Sequence, residues 1–372
     1  MVRFSDFIGN ERASAAMRKS IADGRLPNAI LLHGPRGVGK YSLAIAAAQT
    51  LDCLDRRTID GLPDACGVCA NCTRIAAAAD LDQRVADAIA AREELREADK
   101  RDTRIMVQTH PDVLVIPPDP PQLLVKIGQV RSLISSIYYR PAEAKHRIYI
   151  FTSSAFMKEA ANSLLKVLEE PPDYAHIFLL AENIGDLLPT IRSRCTKLQL
   201  GPMPRPEIEE LLSQRHADWK STERKLVARL SEGAPGRALA FDLASYLTIR
   251  ADALILLRSV MAAEDHTAIF RMTETYRAGA EGQQKTQSLL RVLYTLLEDI
   301  LLLQAGSPDT VRNVDVASQL HKLAEAVSFE WIENAVDGLH QVESGMRRNL
   351  LRSLSLDAFA TGLHETAHIG GR

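Results

Sequence analysis

Short apolar runs separated by helix-length segments pattern the first two hundred residues. Ala29-Ile30-Leu31-Leu32 ends at His33 and gives way to a glycine-rich turn, then to the alanine-rich stretch Ser42–Leu51, which reads as a helix. Further runs of strand length are Val113–Ile116, Ile148–Phe151 and Ile177–Leu180. Between them the spacing predicts helices over Gly128–Tyr138 and Ala155–Glu169, the second stopped by Pro171-Pro172. Strands alternating with helices predict βαβ units and a parallel sheet covered on both faces. A last alternation, Thr196–Leu200, runs into Pro202 and Pro204, and that proline pair marks a domain boundary.

Beyond the prolines the pattern is helical only. Pro206–Arg215 and Thr222–Leu230 form a small helical pair, closed by Gly233-Ala234-Pro235-Gly236. From about residue 244 the apolar residues keep helical spacing, and Leu289, Leu293, Leu296, Ile300 and Leu303 share one face of a long helix. The expected architecture is an α/β P-loop domain over 1–200, a helical lid over 201–243 and an all-α domain over 244–372. One segment stands apart. Asp80–Arg104 mixes eight acids with six bases around a narrow stripe of Leu81, Val85, Ile89 and Leu95. It reads as a solvated helix or hairpin within an insertion at 73–109, with a coiled contact to a partner as the alternative.

Charge narrows the function classes. The 45 basic and 47 acidic residues leave a formal charge of −2, which excludes a stand-alone nucleic-acid binder working through a broad basic surface. Met1–Asn10 has no apolar signal region, and no run of about 18 apolar residues occurs, so a soluble cytoplasmic protein without membrane contact is expected.

The turn after the first strand is Gly34-Pro35-Arg36-Gly37-Val38-Gly39-Lys40, and a helix follows it. That context suits a phosphate loop. Gly34, Gly37 and Gly39 let backbone N–H groups curl around phosphate oxygens, while Lys40 and the helix N-terminus add positive charge. The next residue should carry a hydroxyl for Mg²⁺, but it is Tyr41, and Ser42 is rotated by about 100°. A hydrolysing P-loop enzyme also needs an Asp-Glu pair after the strand Ile148–Phe151, where this chain reads Thr152-Ser153-Ser154. ATP or ADP binding is therefore compatible with the loop, and appreciable hydrolysis is not expected. An active ATPase would need Ser42 or water, and another carboxylate, to serve the metal.

Four of the five cysteines, Cys53, Cys66, Cys69 and Cys72, fall within 53–72. Three-residue steps with a glycine between the first two suit a closed tetrahedral thiolate site, structural rather than catalytic, for Zn²⁺ or iron. Reduced, unligated thiols are the plain alternative. A zinc-dependent nucleic-acid module is disfavoured by the scarcity of flanking aromatics and bases.

Several segments carry a family resemblance: Glu159–Pro172, Leu187–Cys195 with its Ser-Arg-Cys triplet, Phe7–Asn10, Leu26–Ala29 and His110-Pro111-Asp112. Together they resemble the AAA+ clamp-loader subunits of bacterial DNA polymerase III, from the N-terminus to about residue 243. The helical remainder is similar to a collar domain by pattern and by Arg347–Asp357. The motor subunits (gamma/tau) keep the hydroxyl and the Asp-Glu pair, so the losses at Tyr41 and Thr152 are more similar to a non-motor subunit. The resemblance implies that Arg194 is an arginine finger donated to a neighbouring motor subunit. Arg237 is then either a lid arginine that senses phosphate or a helix-start residue. The cysteine module then holds zinc, with Cys53 departing from the family's expected spacing. The implied partners are the motor subunits and the delta subunit, the sliding clamp indirectly, and primer-template DNA within the complex.

Overall fold

The computed structural model describes residues 3–258, 267–276, 279–348 and 350–369. The chain divides into two compact units, Met1–Pro204 with Gly233–Arg237, and Arg205–Glu232 with Ala238–Arg372.

The first unit is built on a six-stranded sheet. Its strands are β1 (Ala29–His33), β4 (Val107–His110), β5 (Val113–Ile116), β6 (Arg147–Phe151), β7 (Ala175–Ala181) and β8 (Thr196–Gln199). Their order is β4-β5-β6-β7-β1-β8, and every pairing is parallel except β4 with β5. Successive side chains of the central strands go to opposite layers, as the pleat requires. Ile30, Leu32, Val115, Ile150 and Phe178 pack with Leu43 and Ile45 of the helix Lys40–Leu51. Leu31, Ile116, Phe151, Ile177 and Leu179 pack on the other face with Leu133 and Leu164. Those two residues belong to the helices Ile127–Ile137 and Lys158–Glu169. All seven β7 residues are buried, which is why its apolar run is so continuous.

Three details differ from the sequence pattern. The helix predicted from Ala155 starts at Lys158, because the chain before it runs beside Val125. There Val125 N–H donates to Ala155 O at 2.7 Å, and Met157 N–H donates to Val125 O at 3.0 Å. A strand missed in the sequence, β4, forms the antiparallel edge. The cysteine segment contains a small hairpin, β2 (Arg57–Ile59) and β3 (Leu62–Asp64), turning at Asp60-Gly61 with positive φ at both residues. The charged insertion forms two helices, Leu81–Glu93 and Glu97–Asp102, neither with a fully buried residue. Its stripe is nevertheless seated, since Leu81 and Val85 pack on the core below the Lys40–Leu51 helix.

The second unit is helical throughout its described residues. Gly279–Gln304 is its central helix, with Leu289, Leu293, Leu296 and Ile300 fully buried. Leu303, predicted on the same face, is partly buried against that core. The helices Phe329–Arg347 and Arg352–Ile369 are tied by Trp331, whose Nε1–H donates to Leu363 O at 2.9 Å. Arg250 pairs with Asp315 and also donates to Asn313, so the buried guanidinium is satisfied. No described helix is long and apolar enough to cross a membrane.

Candidate functional site

The phosphate loop leaves the carboxyl end of β1, an inner strand, which is where open α/β sheets place ligands. Gly34 (φ 145°) passes so close to β8's end that a Cβ there would lie 2.0 Å from Leu200 O. Gly39 (φ 100°) leaves room for the Phe7 ring, whose nearest atom lies 2.8 Å from the position a Cβ would take. Sequence reasoning found the glycines but not these two neighbours. Lys40 folds back, donating to Gly34 O at 2.5 Å and Pro35 O at 2.8 Å. Burial pulls its pKa down, and Glu182 works against that.

Arg237 reaches the same loop. Its Cγ lies 2.8 Å from a Cβ built on Gly37, and Gly236 N–H donates to Gly37 O at 2.9 Å. Beside the loop is a cavity of about 660 Å³, bounded by Lys40, Tyr41, Ser42, Thr152 and Glu182, among others.

The metal side of this cavity does not fit a catalytic Mg²⁺ at the usual ligands. Tyr41 Oη donates to Ala78 O at 2.5 Å, and burial pushes the phenol's pKa up. It is committed to a backbone carbonyl and neutral. Thr152, Ser153 and Ser154 offer hydroxyls where a carboxylate is required. Ser42, Glu182 and Asp186 do line the cavity; Asp186 accepts from Asn183 N–H at 3.1 Å.

The four clustered cysteines are brought together, Cys53 included. Their sulfurs all lie within 4.8 Å of one another, and Cys66 Sγ to Cys72 Sγ is 3.9 Å. Tetrahedral zinc–thiolate bonding sets sulfurs about 3.8 Å apart. Gly67 (φ 77°) makes the turn between the first two thiols of the Cys-x-x-Cys-x-x-Cys run. Backbone N–H groups of Cys66 and Cys69 point at Cys53 Sγ and Cys66 Sγ at 3.2 and 3.3 Å, the donors a thiolate needs. Burial opposes ionisation of Cys69, but N–H groups of Cys72 and Leu54 outweigh it and hold its pKa at about 6. Burial pushes Cys53 and Cys72 up, so those two need a cation to ionise. The donor set fits a structural metal such as zinc.

Arg194 stands elsewhere and does not line the phosphate-loop cavity. It follows the short helix Pro189–Arg192, donating to Thr190 O at 2.8 Å and to Glu169 Oε1 at 2.5 Å. Both side chains of this pair are partly exposed, so the pair contributes only about 0–1 kcal/mol and exchanges partners readily. Cys195 beside it is buried with Leu187 and Ile191, and burial raises its pKa to about 11. It is a packing residue.

Comparison with known proteins agrees with this layout. A family model described as DNA polymerase III, delta subunit, matches residues 9–204, more than half of the 372-residue chain. The DNA polymerase III subunit tau of Escherichia coli is 30% identical over 63% of this chain and 32% of its own length. The subunit delta' of Bacillus subtilis is 24% identical over 91% of both chains. This chain thus spans about a third of the E. coli tau relative and nearly all of the B. subtilis delta' relative. Among solved structures, a DNA polymerase III gamma subunit-related protein from Thermotoga maritima is 18% identical. It covers 94% of this chain and 99% of its own, with a TM-score of 0.41. The family match takes in the phosphate loop, the cysteine module and the Ser-Arg-Cys segment alike, and the chain belongs to the DNA polymerase III, delta subunit family of clamp-loader proteins.

Proposed function

We propose that this chain is a delta-prime-type, non-motor subunit of a bacterial replicative clamp loader. One observation carries the reading: Tyr41 and Thr152 replace both metal-side groups of a folded phosphate loop, while Arg194 lies partly exposed outside that loop's cavity. Phosphoryl transfer depends on metal electrostatics and positioning, so the chain's own site does not turn ATP over.

Arg194 instead completes the ATP site of a neighbouring gamma/tau motor subunit. A planar, permanently charged guanidinium stabilises charge on the transferring phosphoryl group, and such fingers supply about 10³–10⁵ in rate. The helical collar holds the chain in the ring beside the motor and delta subunits. The assembled ring loads the sliding clamp on primer-template DNA in the cytoplasm. Zinc fills the Cys53, Cys66, Cys69 and Cys72 site in a purely structural role, since four thiolates leave no open position.

A second reading has a specific observation behind it. Ser42 and the Glu182 carboxylate both line the cavity, so they are available to a metal if nucleotide brings one in. Phosphate release by the purified chain, with Lys40→Ala as control, separates the two. The non-motor reading expects no turnover above the Lys40→Ala background. Lys40-dependent turnover would establish an active ATPase of the gamma/tau type.

A further inference from the structure

The insertion has a position the function above does not use. Leu81, Asp82, Val85 and Ile89 of the helix Leu81–Glu93 form one wall of the phosphate-loop cavity, facing Lys40, Tyr41, Ser42 and Thr152. Leu81, Val85 and Ile89 fall on one helix face, so the apolar stripe and the cavity wall are the same surface.

Two attachments hold the helix there. At its root, Tyr41 Oη donates to Ala78 O at 2.5 Å, two residues before the helix N-cap Asp80. The residue standing in for the metal ligand is thus the one that anchors the insertion. At the far end, Arg92 Nη1 meets Asp119 Oδ1 at 2.6 Å, with the Asp119 side chain fully buried and Arg92 only 12% exposed. Asp119 belongs to the proline-rich loop whose Pro117, Pro118, Pro120 and Leu123 also line the cavity. The second Asp119 oxygen has no hydrogen bond, Lys126 Nζ lying 3.8 Å away, so Arg92 is that carboxylate's main partner. Between root and latch no residue of the helix is fully buried. An element with few buried side chains opens at a lower free-energy cost than the core beneath it.

We propose that Leu81–Glu93 is a latched lid on the phosphate-loop cavity, rooted by Tyr41 and closed by Arg92–Asp119, that controls access of a nucleoside diphosphate to Gly34–Lys40. The proposal rests on reading that loop as a nucleotide site and adds the device that gates it. When the lid is the dominant state, apparent affinity is reduced by the open fraction.

Titration of the full chain with a fluorescent ADP, in EDTA and in Mg²⁺, tests it. Arg92→Ala and Tyr41→Phe should each tighten binding about tenfold or more, and adding Lys40→Ala should remove the gain. Equal affinity in the native chain and both folded variants would overturn the lid, as would a gain that survives Lys40→Ala. Hydrogen exchange on the native chain gives a readout that needs no variant. Excess ADP should speed exchange across Leu81–Glu93 while β1 and β7 stay protected, and unchanged exchange with ADP bound would count against the lid. Turnover separates this proposal from the non-motor reading. Tighter binding without phosphate release supports both, whereas Lys40-dependent release by Arg92→Ala would overturn the non-motor reading and leave the lid standing.

Discussion

Asp112 organises a loop by hydrogen bonds, with Arg147 Nε 3.7 Å from its carboxylate. Its carboxylate accepts from the N–H groups of Ala142, Glu143 and Ala144 at 2.7 to 2.9 Å, and from none of the cavity residues. Burial raises its pKa, but those three donors outweigh burial and the net shift is downward. Asn28 donates to Pro172 O and Ala175 O, joining Leu26–Ala29 to the end of Glu159–Pro172. Two of the segments that carried the family resemblance, Leu26–Ala29 and Glu159–Pro172, are thus joined by hydrogen bonds. Their presence was legible in the sequence. Their roles were not, because each partner lies about 30 to 150 residues away along the chain. His176 gives a prediction at this scale. It is buried with Nδ1 3.1 Å from Pro27 O and the His146 ring 5.3 Å away, and burial lowers its pKa from 6.5 to about 4. The unfolded chain then binds the proton more readily, so its stabilising effect is present above pH 6.5 and is lost as pH falls toward 4. The loss between pH 7 and pH 5 should be about 2 kcal/mol, and His176→Gln should flatten the slope by that amount in urea unfolding. An unchanged slope would show that His176 does not set this pH dependence.

The elements differ in how plainly the chain announces them. β5, β6 and β7 are buried on both faces, so they appear as unbroken apolar runs. β4 (Val-Gln-Thr-His) and the β2–β3 hairpin are short and partly polar, and nothing in their spacing sets them apart from loop. The lid helix was half legible. Its stripe is visible in the sequence, while the surface it covers is created only when Tyr41 and the Pro117–Leu123 loop meet it. The cysteine module is coupled to the fold at several points. Arg18 donates to Ile59 O, Leu62 O and Pro63 O, and Asp64 accepts from Phe4 and Ser5 N–H. Elemental analysis should find one zinc per chain. Chelation should raise hydrogen exchange across 52–76 by about tenfold or more, and loosen the hairpin and residues 4–6 with it, while β7 remains protected. Exchange unaffected by chelation would mean that the thiols fold the module without a metal.

The whole molecule combines a phosphate-loop unit, with Tyr41 and Thr152 at the usual metal-side positions, and a separate helical unit built around Gly279–Gln304. In the proposed reading the catalytic group of this chain, Arg194, acts outside its own cavity. Its weak tie to Glu169 leaves Arg194 free to change partners at little cost. The most direct measurement is DNA-stimulated ATP hydrolysis by the reconstituted loader carrying Arg194→Ala in this chain, with assembly and chain stability checked alongside. The expected result is an intact assembly, an unchanged melting temperature for the chain, and turnover at the adjacent motor site reduced by about 10³ or more. Unchanged turnover in a correctly assembled mutant complex would contradict it.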